Sequence, residues 1–431
     1  MKIAVIGGAG VRTPLLVSGL TGSDVPIDEV ALYDADEPRL AIIGGVAERM
    51  SAGARITRCR SVDQCVSGAA FVFTSIRVGG IEQRVRDEAA AQRHGIVGQE
   101  TIGPAGFAMA ARTIPPMVEY AREIAARAPE AWIINFTNPV GMVTEAMRTA
   151  SDRVIGICDT PTELFEEIAH ALGLQSDRCY FDYFGLNHLG WIREVYSDGA
   201  PQLHRLWSDP ARLQSVYKQP LFDPAVLCDL GLLPTEYVYY YEQPRRAFEN
   251  VREAGQGRGE AIAALTRVLF DQLTAPDADT VARYKAYLRA RSAGYMQVES
   301  GSAAPTSPAR ETGLSGYDRI ALGVVRAIHF NEHAVIPLSV PNRGNILGLL
   351  DDDVVEVPCL VNANGARPLH VGEVPERIRP LLSRVKDYER RTVRAALARS
   401  LDAAREALAA NPLVTDAATA ERLVAELSPL W

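Results

Sequence analysis

The first ten residues constrain the fold most. Met1-Lys2-Ile3-Ala4-Val5-Ile6 is a short apolar run that passes directly into Gly7-Gly8-Ala9-Gly10. A run this short and apolar reads as a strand buried on both faces. Glycines placed directly behind it let the backbone turn tightly into a helix. Strand, tight turn and helix together open a parallel, doubly wound sheet. The rhythm then repeats. Residues 3–6, 30–33, 54–57, 71–75, 132–136 and 154–157 predict buried strands, and 37–50, 108–126 and 140–149 carry helical periodicity between them. The expected fold class is α/β, with a Rossmann-type doubly wound parallel sheet.

Beyond about residue 160 the pattern changes. Helical stretches at 258–274, 318–329 and 385–410 surround strand-like pieces at 334–340 and 354–361. This predicts a second, α+β domain, dividing the chain into a dinucleotide-binding part (1–160) and a part for substrate binding, catalysis and oligomerisation (161–431). With 431 residues, 47% of them hydrophobic, both parts can bury a core unaided. The net charge of −8 and the lack of any Lys/Arg run exclude a nucleic-acid surface. No stretch approaches the ~20 apolar residues that span a bilayer, so no membrane partner is expected. The N-terminal run is too short for a signal peptide. Six scattered cysteines without a CxxC pair suit a reducing compartment, and the cytoplasm is the expected location.

Gly7, Gly8 and Gly10 would let the backbone approach a pyrophosphate at the next helix's N-terminus. The loop departs from GxGxxG, because Thr13 stands three positions beyond Gly10. Asp34 ends the second strand, where a carboxylate accepts hydrogen bonds from an adenosine ribose and disfavours a 2′-phosphate. NAD is therefore the expected cofactor, with Gly7, Gly8, Gly10, Thr13 and Asp34 as its binding residues. A tight turn that binds no nucleotide would use the same glycines; the strand before them and Asp34 favour the dinucleotide.

Ile157-Cys158-Asp159-Thr160-Pro161-Thr162-Glu163 reads as a capping box, with Thr160 as cap and Pro161 at the first helical position. Leu164, Ile168 and Leu172 then share one helix face, and Gly173 is a suitable stop. Cys158 and Asp159 thereby fall at the carboxyl edge of the sheet, where such folds bind ligands. A helix N-terminus favours thiolate, and a thiolate is a good ligand for a divalent metal. The plainer alternative is a small apolar cysteine ending a core strand. His188, in Gly185-Leu186-Asn187-His188-Leu189-Gly190, is the second candidate ligand. Two protein ligands fall short of an ordinary metal site, so substrate oxygens or water would have to complete the shell.

Taken in order, several segments resemble glycoside hydrolase family 4, the NAD- and divalent-metal-dependent glycosidases that share a fold with lactate and malate dehydrogenases. They are residues 7–14, Arg77-Val78-Gly79-Gly80, Gly98-Gln99-Glu100-Thr101-Ile102-Gly103-Pro104, Asn135-Phe136-Thr137-Asn138-Pro139, Cys158-Asp159-Thr160-Pro161, Gly185-Leu186-Asn187-His188, Pro234-Thr235-Glu236-Tyr237 and Val355-Glu356-Val357-Pro358-Cys359. The match runs over nearly the whole chain. It implies that Cys158 and His188 hold a divalent metal, usually manganese, and that Tyr237 removes the C2 proton of a sugar. Tyr239, Tyr240 and Tyr241 leave that register open. The resemblance also implies sugar contact by Asn138, and suits Arg84 and Arg258 to a 6-phosphate, although both look like surface residues on their own. Asp159 is the candidate general acid.

The reaction implied is hydrolysis of 6-phosphorylated glycosides. The sugar is oxidised at C3 by NAD and deprotonated at C2, the aglycone is eliminated, water adds, and the sugar is re-reduced. This family is an exception to two-carboxylate glycosidase chemistry. The segment around Tyr237 points to the 6-phospho-β-glucosidase branch, whereas Asp159 stands where many β-specific members carry asparagine. The loop Gly7-Gly8-Ala9-Gly10-Val11-Arg12 departs from the family's usual Gly-Gly-Gly-Ser start, and Arg12 is unusual there. The alternatives are a 6-phospho-α-glucosidase, a glycosidase of unphosphorylated sugars, or a 2-hydroxy-acid dehydrogenase, which would need a histidine–aspartate pair and a substrate arginine. Homo-dimers or homo-tetramers are the expected assembly.

Overall fold

The computed structural model describes residues 1–275, 279–302 and 316–428. Six parallel strands come from the first part of the chain: β1 (Lys2–Ile6), β2 (Glu29–Tyr33), β3 (Arg55–Arg58), β4 (Ala69–Thr74), β5 (Trp132–Asn135) and β6 (Val154–Gly156). They lie in the order β3-β2-β1-β4-β5-β6, and β1 pairs in parallel with both β2 and β4. This is the strand order of a dinucleotide fold, whose direction reverses beside β1. Alternate residues of one strand feed different cores. Ala4, Ile6, Ala31, Val72 and Ile133 pack on one face, and Ile3, Val5, Val30, Leu32, Phe71 and Ile134 on the other. Both faces are dry, which explains the near-continuous apolar runs.

A hairpin follows, β7 (Cys179–Leu186) and β8 (Leu189–Ser197), joined by β9 (Ala200–Pro201) and β10 (Leu233–Pro234) into a second sheet. The hairpin has no counterpart among the strands read from apolar periodicity. Late in the chain β11 (Ala334–Pro341), β12 (Val354–Asn362) and β13 (Gly365–Pro368) run antiparallel and extend the first sheet beyond β6, through the pair Ser339 and Gly156. The boundary expected at residue 160 therefore does not divide the main sheet. Its physical reason is the open edge of β6, which β11 covers.

Two helix boundaries differ from expectation. The stretch 385–410 is two helices, Arg379–Ala398 and Leu401–Ala410. Arg399 takes a left-handed φ of 48°, and the Ser400 side chain accepts from the Ala403 N–H to start the second helix. The helix after β6 is Asp159–Leu172, capped by Cys158 rather than Thr160. Asp159 occupies the first helical position and Gly173, at a φ of 71°, ends the helix as expected.

Candidate active site

A cavity of about 980 Å³ lies along the carboxyl edge of the parallel strands, from Asp34 at one end to Arg258 and Arg291. At the Asp34 end the glycine turn is fixed by neighbours. The Gly7 and Gly8 N–H groups both donate to the Tyr33 carbonyl at 2.9 Å, and Gly7 has a φ of 92°. A Cβ on Gly7 would fall 2.2 Å from the Ser75 carbonyl oxygen, so no larger residue fits. Asp34 spends one oxygen on the Ala9 N–H and the other on the Asp36 N–H, each at 3.0 Å. Of the expected cofactor residues, Gly7, Gly10 and Asp34 line the cavity. Gly8 packs against Leu32 and Leu40, and Thr13 is buried at the start of the next helix, so these two shape the turn and do not line the cavity.

Cys158 and His188 line the middle of the cavity. Asn187 and His188 form the tip of the β7–β8 hairpin, and His188 has a left-handed φ of 65°. A non-glycine residue held there is under strain of order 1–3 kcal/mol, which surrounding contacts must hold in place. Those contacts are visible. Asn187 donates to Glu356 of β12 at 3.2 Å, Tyr183 of β7 donates to the same carboxylate at 2.6 Å, and Thr101 meets His188 Nδ1 at 2.9 Å.

The Thr101 contact fixes the imidazole tautomer. The Thr101 N–H can only donate, so Gln99 presents its Oε1, at 2.7 Å. The Thr101 hydroxyl donates to that same oxygen at 2.8 Å. Its lone pair is then left to accept from His188 Nδ1–H, and the ring keeps its other lone pair on Nε2. Burial holds the His188 pKa down to about 4, so the ring is neutral near pH 7. A neutral imidazole with a free Nε2 and an anchored Nδ1–H is the arrangement a metal ligand needs.

The thiol differs from expectation. Burial, and then the charges of Glu356 and Asp159, push the Cys158 pKa well up, against the pull of Thr160 at the helix start. The helix N-terminus alone does not produce a thiolate here. A cation would reverse that balance, because a coordinated thiol is deprotonated. No group of three or more His, Cys, Asp or Glu side chains forms a metal cage among the described residues. The donor set of one sulfur and one imidazole therefore fits a cation only if oxygens from another molecule share it.

Tyr237 lies parallel to the His188 ring, with centroids 3.9 Å apart and planes within 5°. Tyr240 also lines the cavity, while the Tyr239 hydroxyl donates to the Glu299 carbonyl at 2.9 Å and Tyr241 lies outside the lining. Burial raises the Tyr237 pKa above that of an ordinary phenol, with Tyr295 opposing the rise. Asn138 also lines the cavity, and its Oδ1 is buried without a hydrogen-bond partner.

The charged residues hold the largest differences from the sequence reading. Arg84 is no surface residue. It is 6% exposed and bonded to Glu88 at 2.7 Å and Glu100 at 3.0 Å. Glu100 also binds Arg77 at 2.6 Å, so this corner is charge-balanced. Arg258 binds the carbonyls of Gly294 and Arg291 at 2.9 and 2.6 Å. Arg291 donates to the Tyr287 hydroxyl at 3.0 Å, and burial holds its pKa below that of an ordinary arginine. Among the described residues neither Arg258 nor Arg291 has a carboxylate ion-pair partner, although the buried Glu299 lies near Arg258. Arg12 reaches across from the glycine turn and binds Asp159 at 2.8 Å. Burial raises the Asp159 pKa, but Arg12 outweighs it and the net shift is downward.

Comparison with known proteins gives this cavity a family. Residues 2–174 match the model of the family 4 glycosyl hydrolases, and residues 183–414 match the model of that family's C-terminal domain. The chain belongs to glycosyl hydrolase family 4. It is 31% identical, over 99% of its length and 95% of the relative's, to the "Probable 6-phospho-beta-glucosidase" of Bacillus subtilis (strain 168). The 6-phospho-beta glucosidase of Thermotoga maritima, solved with NAD and glucose-6-phosphate, is 28% identical with a TM-score of 0.84, covering 100% of this chain and 98% of that one. A second form of that enzyme contains manganese as well. A 6-phospho-alpha-glucosidase from gut microorganisms, solved with NAD and glucose-6-phosphate, is 25% identical with a TM-score of 0.84, covering 100% and 98%.

Within this family 4 chain, sequence reading misses Gln99 and Thr101 as supports of His188, Glu356 behind the hairpin tip, and Arg291. Gln99 and Thr101 stand in Gly98–Pro104 and Glu356 in Val355–Cys359, segments whose resemblance marks the stretch but singles out none of the three. Arg291 lies in the exposed-looking run Arg289-Ala290-Arg291 and carries no local signal.

Proposed function

We propose that this family 4 chain hydrolyses 6-phosphorylated glycosides, as a 6-phospho-β-glucosidase, with NAD and a divalent cation, usually manganese. One observation carries the reading: Tyr237 stacks on His188 at 3.9 Å inside the same cavity that begins at the glycine turn and Asp34. When bound, the dinucleotide supplies a hydride acceptor and donor and the cation supplies a Lewis acid.

The chain's own residues supply the rest. Gly7, Gly10 and Asp34 seat the dinucleotide, with Gly8 and Thr13 shaping the turn that does so. Cys158 Sγ and His188 Nε2 would hold the cation. Tyr237 takes the C2 proton as its phenolate: burial favours the neutral phenol, and a cation beside His188 would favour the ionised form the base needs. Asn138 Oδ1 accepts from a sugar hydroxyl. Arg258 and Arg291 face the 6-phosphate, and Arg84, balanced by two carboxylates, braces that end. Asp159 holds Arg12 between the two halves of the cavity. Division of labour follows the chain, with the dinucleotide in the part before residue 160 and sugar contacts mostly after it, and the assembly is a homo-dimer or homo-tetramer. No helix among the described residues is long and apolar enough to cross a membrane.

The α-linked reading is the second choice, favoured by Asp159 standing where many β-specific members carry asparagine. The test is a panel of α- and β-linked nitrophenyl glycosides, with and without the 6-phosphate, assayed with NAD and manganese. Turnover is expected for the β-linked phosphorylated member. Activity only on unphosphorylated sugars, or net NADH accumulation from a 2-hydroxy acid, would overturn it.

A further inference from the structure

Expelling an ordinary alcohol from C1 needs a proton at the departing oxygen, and the carboxyls lining the cavity differ in whether they can give one. Most are already engaged. Asp34 binds two backbone amides at the glycine turn. Glu88 binds Arg84 and the Gly259 N–H, and Glu100 binds Arg77 and Arg84. Asp159 binds Arg12 at 2.8 Å, and Glu163 binds Lys218 at 3.0 Å. Asp36 accepts from the Arg39 N–H at the start of its helix. Glu100 Oε2 apart, which is ion-paired with Arg77, two cavity carboxyls have a buried oxygen lacking any hydrogen bond: Glu236 Oε2 and Glu299 Oε2. Glu299 sits at the arginine end, with Arg258 and Arg84 as its charged neighbours. Glu236 is 8% exposed, lies on the short 3₁₀ turn Glu236–Val238, and directly precedes Tyr237.

We infer that Glu236 is the proton donor to the departing aglycone oxygen, an inference that rests on the glycosidase reading above. Acid and base are then consecutive residues of one turn. Tyr237 takes the proton from C2 of the oxidised sugar, and the electron pair of that bond forms C1=C2 as the C1–O bond breaks. The bonding pair leaves with the oxygen, which takes the Glu236 carboxyl proton. The alcohol departs and Glu236 is left as carboxylate. In the return step water adds at C1, its proton passes to Glu236, and C2 recovers a proton from Tyr237, so both residues end as they began. The surroundings support a carboxyl that carries its proton near neutral pH. Burial, with the charges of Glu163 and Asp159, raises Glu236 to about 7 against the opposing hydrogen bond from its own backbone N–H and the charge of Lys218.

The experiment compares Glu236→Gln with wild type, each with NAD and manganese, on methyl and 2,4-dinitrophenyl 6-phospho-β-glucosides. Glutamine keeps the shape and removes the proton. Turnover of the methyl glycoside should fall about 10²–10⁴-fold, the range of a lost general acid, and that of the dinitrophenyl glycoside by less than about tenfold, because its leaving group needs no proton. Exchange of the C2 hydrogen with solvent should continue. NAD binding by fluorescence confirms the fold; should the glutamine variant not fold, Glu236→Asp should show the same leaving-group order with a smaller loss. Equal loss on both glycosides, unchanged methyl turnover, or the leaving-group-selective loss appearing in Asp159→Asn instead would overturn the inference. If wild type hydrolyses neither glycoside, it is the glycosidase reading that falls.

Discussion

Replacing Thr101 with valine should weaken metal binding without touching a ligand. Thr101 accepts from His188 Nδ1–H at 2.9 Å, and no other hydrogen bond to that proton exists among the described residues. In Thr101→Val the free protein can move the proton to Nε2, which faces the cavity. Binding a cation at Nε2 then forces the proton back to Nδ1, where it is buried and unpaired. An unpaired buried donor costs about 1–3 kcal/mol, so manganese affinity should drop roughly 5- to 150-fold. The range agrees with the 10–100-fold generally lost with such supporting contacts. The assay is titration of manganese by electron paramagnetic resonance in the presence of saturating NAD. Thr101→Ser, which keeps the hydroxyl, should restore affinity to within about threefold of wild type, well inside the valine loss. An unchanged dissociation constant in Thr101→Val, or an equal loss in Thr101→Ser, would refute the tautomer argument.

Three further substitutions test the framework. Gly7→Ala sets a Cβ 2.2 Å from the Ser75 carbonyl at a φ of 92°; NAD affinity should fall at least about tenfold and stability by more than about 1 kcal/mol, read by calorimetric titration and thermal melting. Lys386 is fully buried with the partly exposed Glu145 at 3.0 Å and the buried Glu389 at 2.6 Å, so Lys386→Met leaves the Glu389 carboxylate buried and unpaired. That should cost about 3–5 kcal/mol, a Tm lower by about 4 °C for a chain of this size; an unchanged Tm would show the cluster is not ionised. Burial raises Glu356 to about 7 in the folded state from an ordinary 4.5. The folded protein therefore keeps a proton that the unfolded chain releases, and the resulting stability is full below pH 4.5 and lost as pH rises through 7. Measured against Glu356→Gln, wild type should lose about 3 kcal/mol between pH 4.5 and 8, and a constant difference across that range contradicts the buried neutral carboxyl.

What was legible in the sequence was local. The strand before Gly7 and the turn after it depend on neighbours a few residues away, and so does the strand-to-helix junction at Cys158. Even there, Thr160 and Asp159 both suit a helix start. The cap position falls to Cys158 instead, and the Asp159 carboxylate pairs with Arg12, 147 residues distant. The site as a whole is non-local. His188 meets Thr101 across 87 residues, and Asn187 meets Glu356 across 169. Such pairs leave no periodicity, so Cys158, His188 and Tyr237 were linked beforehand only through resemblance. The same holds for β11, whose place beside β6 depends on an edge that needs covering rather than on anything in its own residues. Arg84 shows the opposite error. Its charged neighbours suggested a solvated face, yet one of them, Glu88, is its buried partner, and the other partner, Glu100, is 16 residues away.

The claim underlying all of this is that the C2–H bond breaks during hydrolysis. It is tested most directly by running turnover of a 6-phospho-β-glucoside in D₂O, with NAD and manganese, and examining the released sugar phosphate by mass spectrometry and NMR. Deprotonation by Tyr237 and later return of a proton should place solvent deuterium at C2. A product that carries only protium at C2 would contradict the mechanism.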